Sequence, residues 1–129
     1  MITVYFTSDA RYRIDRSFAV KCLQKAWVEK ELPQTGVVSL VFVGSRKSKQ
    51  LSKEYLKDDQ EHPVLTFPYT SKEKVFPPEF MGNLLGEIVI CYPQVALYAA
   101  SQDKEINKVI SQFLDHAVTI LANEMNRNK

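Results

Sequence analysis

The chain has 129 residues, 45% of them apolar, and a formal net charge of +2. One compact domain spanning 1–129, with a core that needs neither metal nor disulfide, is expected from those figures. The charge is too small to dictate a nucleic-acid partner, so any RNA contact has to come from local clusters.

Cys22 and Cys91 stand far apart without C-x-x-C spacing, so nothing suggests a disulfide framework or a cysteine zinc knuckle, and a reducing compartment fits best. The first residues have no basic start before a long apolar run, unlike a secretory signal. The most apolar stretch, Val37 to Val43, is too short to cross a bilayer as a helix. A cytoplasmic location without membrane association is therefore expected.

Ile2 to Phe6, β-branched and aromatic, predicts a first strand closed by Thr7-Ser8-Asp9. Arg11, Arg13 and Arg16 crowd the entry to the next element. From Asp15, a candidate N-cap, the apolar residues Ala19, Cys22, Leu23, Ala26 and Trp27 recur at the spacing of one helical face until Pro33. Val37 to Val43 is apolar at both alternating sets of positions and predicts a strand buried on two sides. Ser45 is a candidate cap for a short helix reaching Leu56. Its outer face holds Arg46, Lys47, Lys49 and Lys53, and its inner face Leu51, Tyr55 and Leu56. Such a cationic face is more often solvated than a phosphate-binding strip.

A polar turn over 58–63 precedes a third strand, Val64 to Phe67, which must stop near Pro68. Thr70 to Met81 predicts a long loop. Leu84 to Tyr92 predicts a fourth strand in which Gly86 permits a bulge or a close backbone approach. Pro93 suits the first turn of a helix ending near Ser101, and Asp103 is a candidate cap for the last helix. In that helix Ile106, Val109, Ile110, Phe113, Leu114, Ala117 and Leu121 form one apolar stripe, with His116 at its edge. The order β-α-β-α-β-β-α-α predicts a single α+β domain, a mixed four-stranded sheet packed with helices.

Three stretches together resemble the YbeY family of bacterial zinc-dependent ribosomal-RNA maturation endoribonucleases. The family's Leu-Asn-x-x-Tyr-Arg-x-x-Asp is matched by Leu51-Ser52-Lys53-Glu54-Tyr55-Leu56-Lys57-Asp58-Asp59. Its Pro-Thr-Asp-Val-Leu-Ser-Phe-Pro is matched by Glu61-His62-Pro63-Val64-Leu65-Thr66-Phe67-Pro68, and its Leu-Gly-Asp-Ile-x-Ile by Leu85-Gly86-Glu87-Ile88-Val89-Ile90. The resemblance implies a YbeY-like fold, association with ribosomal-RNA maturation and a zinc ion held by the histidines of H-G-x-L-H-L-x-G-x-D-H. Zinc bound by three imidazoles keeps a position open for water, which a metal hydrolase needs. The matching segment here is His116-Ala117-Val118-Thr119-Ile120-Leu121-Ala122-Asn123-Glu124-Met125-Asn126.

Of the implied metal ligands, only His116 is present. Ile120 has no lone pair, Asn126 is a poor zinc ligand, and Asn123 in place of the turn glycine lets the helix run on. The arginine the family carries after its tyrosine is Leu56. The expectation is a degenerate zinc site and reduced or lost nuclease activity. Binding of RNA or a ribosomal subunit would then run through Arg11, Arg13, Arg16, Arg46, Lys47, Lys49 and Lys53.

One alternative is an active single-strand-specific nuclease in which His116, His62 and a carboxylate (Glu87, Asp58 or Asp59) form a rebuilt zinc site. The catalytic candidates on that reading are Glu87 and His62. Another is a protein-interaction module whose old cleft is filled by Ile120 and Leu56. A lone histidine beside an apolar stripe is more often packed than ligating. Glu87 reads more simply as a backbone-bonded carboxylate, and Cys91, Trp27 and Tyr55 as packing residues. Base stacking by Tyr5, Tyr12 or Tyr69 is a further possibility.

Overall fold

Val37–Val43, apolar at both sets of alternating positions, forms the strand around which the sheet is assembled. In the computed structural model, which describes residues 1–58, 60, 62–68 and 84–127, the elements are β1 (Thr3–Ser8), α1 (Arg16–Glu29), β2 (Val37–Val43), α2 (Ser45–Leu51), β3 (Val64–Pro68), β4 (Leu84–Cys91), α3 (Tyr92–Ser101) and α4 (Ile106–Arg127). A π-helical turn, Ser52–Leu56, extends α2. The expected α+β architecture and element order are both found. The expected 70–81 loop, Asp59 and Tyr69 lie outside the described residues.

The sheet order is β1-β2-β4-β3, with β1, β2 and β4 parallel and β3 antiparallel to β4. Parallel neighbours need crossover connections, and α1 supplies the one between β1 and β2. At the start of β4 the register slips: Val37 pairs with Leu84 and Val38 with Gly86, so Leu85 bulges. Gly86 also meets the expectation of close approach, since a Cβ there would stand 3.3 Å from a δ-carbon of Leu121 on α4.

One face of the sheet carries most of the core. Val38, Leu40 and Phe42 of β2 and Ile88 and Ile90 of β4 pack with Ala19, Leu23 and Trp27 of α1 and with the α4 stripe of Val109, Ile110, Leu114, Ala117 and Leu121. Trp27 is fully buried and donates its indole N–H to the Pro33 carbonyl at 2.7 Å, so its one polar atom is satisfied. The opposite face holds a smaller cluster in which Leu51 of α2 meets Val43, Leu65, Phe67 and Val89, with Tyr55 edge-on to Phe67 at 5.3 Å. Thus α1 and α2, which follow adjacent parallel strands, lie on opposite faces.

Asp15 caps α1 by accepting the Phe18 N–H at 3.0 Å, as its position before the apolar periodicity suggests. Three local expectations need correction. Gly44, not Ser45, occupies the cap of α2, and its carbonyl accepts the Ser48 N–H at 3.0 Å. A Cβ at position 44 would come within 2.8 Å of Arg11 Nη2 and 2.9 Å of the Tyr12 hydroxyl, so the tips of those two side chains lie directly against Gly44. Asp103 does not cap α4; it sits in the left-handed region (φ 52°) and ends α3, while Val109 N–H bonds to the Glu105 carbonyl at the start of α4. Leu56 does not turn inward. The π-turn adds a residue to the helical repeat, and Leu56 is left 48% exposed. Among the described residues no helix is long and apolar enough to cross a membrane.

Candidate functional site

The buried stripe of α4 fixes where its remaining side chains point. Ala117, Val118 and Leu121 are buried against the core, which turns His116 to solvent, leaves Ile120 half-buried and exposes Asn123 and Asn126. The helix continues unbroken past Asn123 to Arg127. Among the described residues, no backbone turn after Asn123 brings a third group back toward His116.

Glu87 lies elsewhere. Gly86 faces α4, and strand alternation sends the next side chain to the other side of the sheet, where Glu87 sits in register with Ser39 of β2 and Phe67 of β3. A sheet therefore separates Glu87 from His116. Glu87 is 2% exposed, and among the described residues its Oε2 has no hydrogen-bond partner. Burial pushes its carboxyl up to about 7. The hydroxyl of Ser39, also buried, is likewise without a partner among the described residues.

His62 stands at the entry to β3. Its Nε2 is 3.1 and 3.0 Å from the two oxygens of Asp58, and its carbonyl accepts the Ser48 hydroxyl. The Gln60 N–H first, and His62 second, hold the Asp58 carboxyl below the usual range. Among the described residues, no three His, Cys, Asp or Glu side chains gather where one cation could reach them. The chain's described donors therefore do not fit the three-imidazole set that the fold family implies. His116 supplies one imidazole, the next turn of its helix supplies isoleucine, and Glu87 is behind the sheet.

The cations are distributed differently. Arg11, Arg46 and Lys47 line a single groove of about 430 Å³ at the carboxyl ends of β1 and β2, together with Thr7, Ser8 and Asp9. Arg11 is held in place by Asp9, which accepts from Nε at 3.0 Å, from Nη2 at 2.7 Å and from the Arg11 backbone N–H at 2.9 Å. These bonds hold the Asp9 carboxyl at about 2, so the pair stays charged at any working pH. The Arg11 guanidinium also lies 5.4 Å from the Tyr12 ring centroid, and Tyr12 stacks on Tyr92 at 4.5 Å.

The other cations expected from sequence lie outside this groove. Arg13, Lys49 and Lys53 are exposed, and Arg16 lies 5.7 Å from the Phe6 ring centroid. Sequence reasoning missed Asp9, Ser8 and Gly44. The available signal was the Asp9-x-Arg11 spacing and a glycine standing between a doubly apolar strand and a cationic helix.

A family model described as endoribonuclease YbeY matches residues 7–122. The chain is 26% identical over 116 residues to an endoribonuclease YbeY of Polynucleobacter asymbioticus, covering 90% of this chain and 70% of that relative. It is 31% identical over 81 residues to one from Alteromonas mediterranea, covering 63% of this chain and 48% of that relative. The solution structure of TM1509 from Thermotoga maritima superposes with a TM-score of 0.55 at 20% identity, over 95% of this chain and 72% of that one. That likeness concerns the fold.

Proposed function

The chain belongs to the YbeY family of endoribonucleases, and from that premise we propose that it is an RNA-binding member in which metal-assisted hydrolysis is reduced or lost. The observation that carries this reading is α4 itself. A three-ligand zinc centre with an open water position requires donors that converge, whereas His116 is followed one turn later by Ile120 on a helix that never bends back. Without a positioned metal, a phosphodiester has no Lewis acid at this edge and no water made acidic enough to attack at neutral pH.

Binding does not need that centre. Affinity for RNA comes mainly from neutralising phosphates, and the cations of α2 and of the β1–α1 turn are exposed and near one another. Arg13, Arg16, Lys49 and Lys53 add long-range attraction around the groove. The natural setting of such a protein is the ribosomal-RNA maturation in which its family works, with RNA or a ribosomal subunit as partner.

The test combines binding and cleavage on a labelled single-stranded oligoribonucleotide. Expected are saturable binding at low salt that weakens steeply as salt rises, and no cleavage dependent on His116. Cleavage abolished both by a chelator and by His116→Ala would overturn the proposal in favour of a working metal nuclease.

A further inference from the structure

We propose that the groove between the end of β1 and the first turn of α2 seats a backbone phosphodiester of the bound RNA strand, an assignment that rests on the RNA-binding reading above. The location follows from topology. In a sheet with parallel strands, ligands sit in the crevice outside the carboxyl ends of two neighbours whose following helices leave toward opposite faces. Here β1 and β2 are parallel neighbours; α1 packs with Leu40 and Phe42 on one face, and α2 packs Leu51 with Val43 and Val89 on the other. The crevice this opens is the groove lined by Arg11, Arg46 and Lys47.

The chemistry of the crevice matches a phosphate. Arg46 and Lys47 come from the first turn of α2 and Arg11 from the turn after β1, so cations approach from both sides. Arg11 is preset: the two-point hold by Asp9 fixes its planar fork and uses only part of its donor set, leaving the other N–H groups for an anion. The Ser8 hydroxyl adds a neutral donor at the same rim. The guanidinium tip of Arg11 and the hydroxyl of Tyr12 lie directly against Gly44, at 2.8 and 2.9 Å from where a Cβ would stand. One carboxylate, Asp9, stands against three cations, so the groove remains net positive. β1, whose end opens the groove, and β3 are opposite edges of the sheet, and none of the groove-lining residues comes from α4.

The test measures affinity of the full chain for a single-stranded oligoribonucleotide, a 5′-mononucleotide and orthophosphate as separate probes. Arg46→Ala/Lys47→Ala removes two cations from the groove, and Lys104→Ala/Lys108→Ala removes the same charge from the α3–α4 corner. The groove variant is expected to bind the oligoribonucleotide roughly tenfold or more weakly, with its log-affinity against log-salt slope reduced by about one to two, while the corner variant shifts far less. Backbone amide resonances of Ser8 and Gly44 should move on RNA titration.

Equal losses in the two variants would overturn the groove assignment and leave RNA binding standing. Wild-type protein indifferent to the oligoribonucleotide at low salt would remove the premise itself. Saturation of the groove by orthophosphate or the mononucleotide, with no oligoribonucleotide bound, would overturn the strand as ligand in favour of a small phosphate. Circular dichroism of each variant separates lost affinity from lost fold.

Discussion

Two edges of the same sheet offer a ligand different things. Along α4, beside β3, one exposed imidazole stands on a helix whose following turns carry isoleucine and asparagine and whose apolar stripe is committed to the core. At the β1–β2 rim, residues with little role in the core bring Arg11, Arg46 and Lys47 to one groove, with Asp9 setting the angle of the arginine. The lesson is that burial fixes a scaffold and leaves its chemistry open. The α4 stripe must stay apolar for the domain to fold, whereas each exposed position beside it can change without energetic penalty to the core.

The largest effect expected tests whether α4 is held by packing alone. Leu121 is fully buried against Gly86, so Leu121→Ala should lower unfolding free energy by about 2–5 kcal/mol in a urea titration. A chelator added to wild-type protein should leave the same titration unchanged. A chelator effect of comparable size would erase the contrast between the two edges, because it would place a structural metal on the supposedly empty one.

Next in size is the buried carboxylate behind the sheet. Burial raises Glu87 from the usual 4.5 to about 7 in the folded state, so between those values the native chain holds a proton that the unfolded chain has released. Stability contributed by this residue therefore falls as pH rises through that window. Glu87→Gln should relieve the charged form and gain on wild type by about 1–3 kcal/mol above neutrality, with the gain fading toward acid pH. No gain above neutrality would mean that Glu87 is satisfied as an anion.

The smallest effect sharpens the picture of α4. Ile120→His would place a second imidazole one helical turn from His116, the spacing by which paired histidines share zinc. Calorimetry should show zinc affinity roughly tenfold or more above wild type, a gain of about 1.4 kcal/mol or more. No gain would mean that the His116 side chain is turned away from position 120, and that the edge is closed to metal for reasons of geometry as well as composition.

Much of this was legible beforehand. The doubly apolar run at 37–43, the Asp15 cap, the Leu85–Gly86 irregularity and the α4 stripe each follow from a local rule that tertiary packing reinforces. The misses occurred where a distant residue decides a local outcome. Ser45 is a better isolated cap than Gly44, but the helix starts one residue earlier, with the Gly44 carbonyl accepting the Ser48 N–H and the tips of Arg11 and Tyr12 lying against Gly44. Leu56 fits an α-helical inner face, and the π-turn rotates it outward. For the candidate site, sequence identified the cations but not their grouping, because the convergence of residues 11, 46 and 47 depends on the parallel pairing of β1 with β2.

The central claim is that the described donors of this fold do not form the metal centre of its family. Zinc content of the purified, dialysed chain, measured by elemental analysis against protein concentration, addresses it most directly. Zinc far below one ion per chain, unchanged by His116→Ala, is the expected result. One tightly held zinc per chain, lost on that substitution, would contradict it.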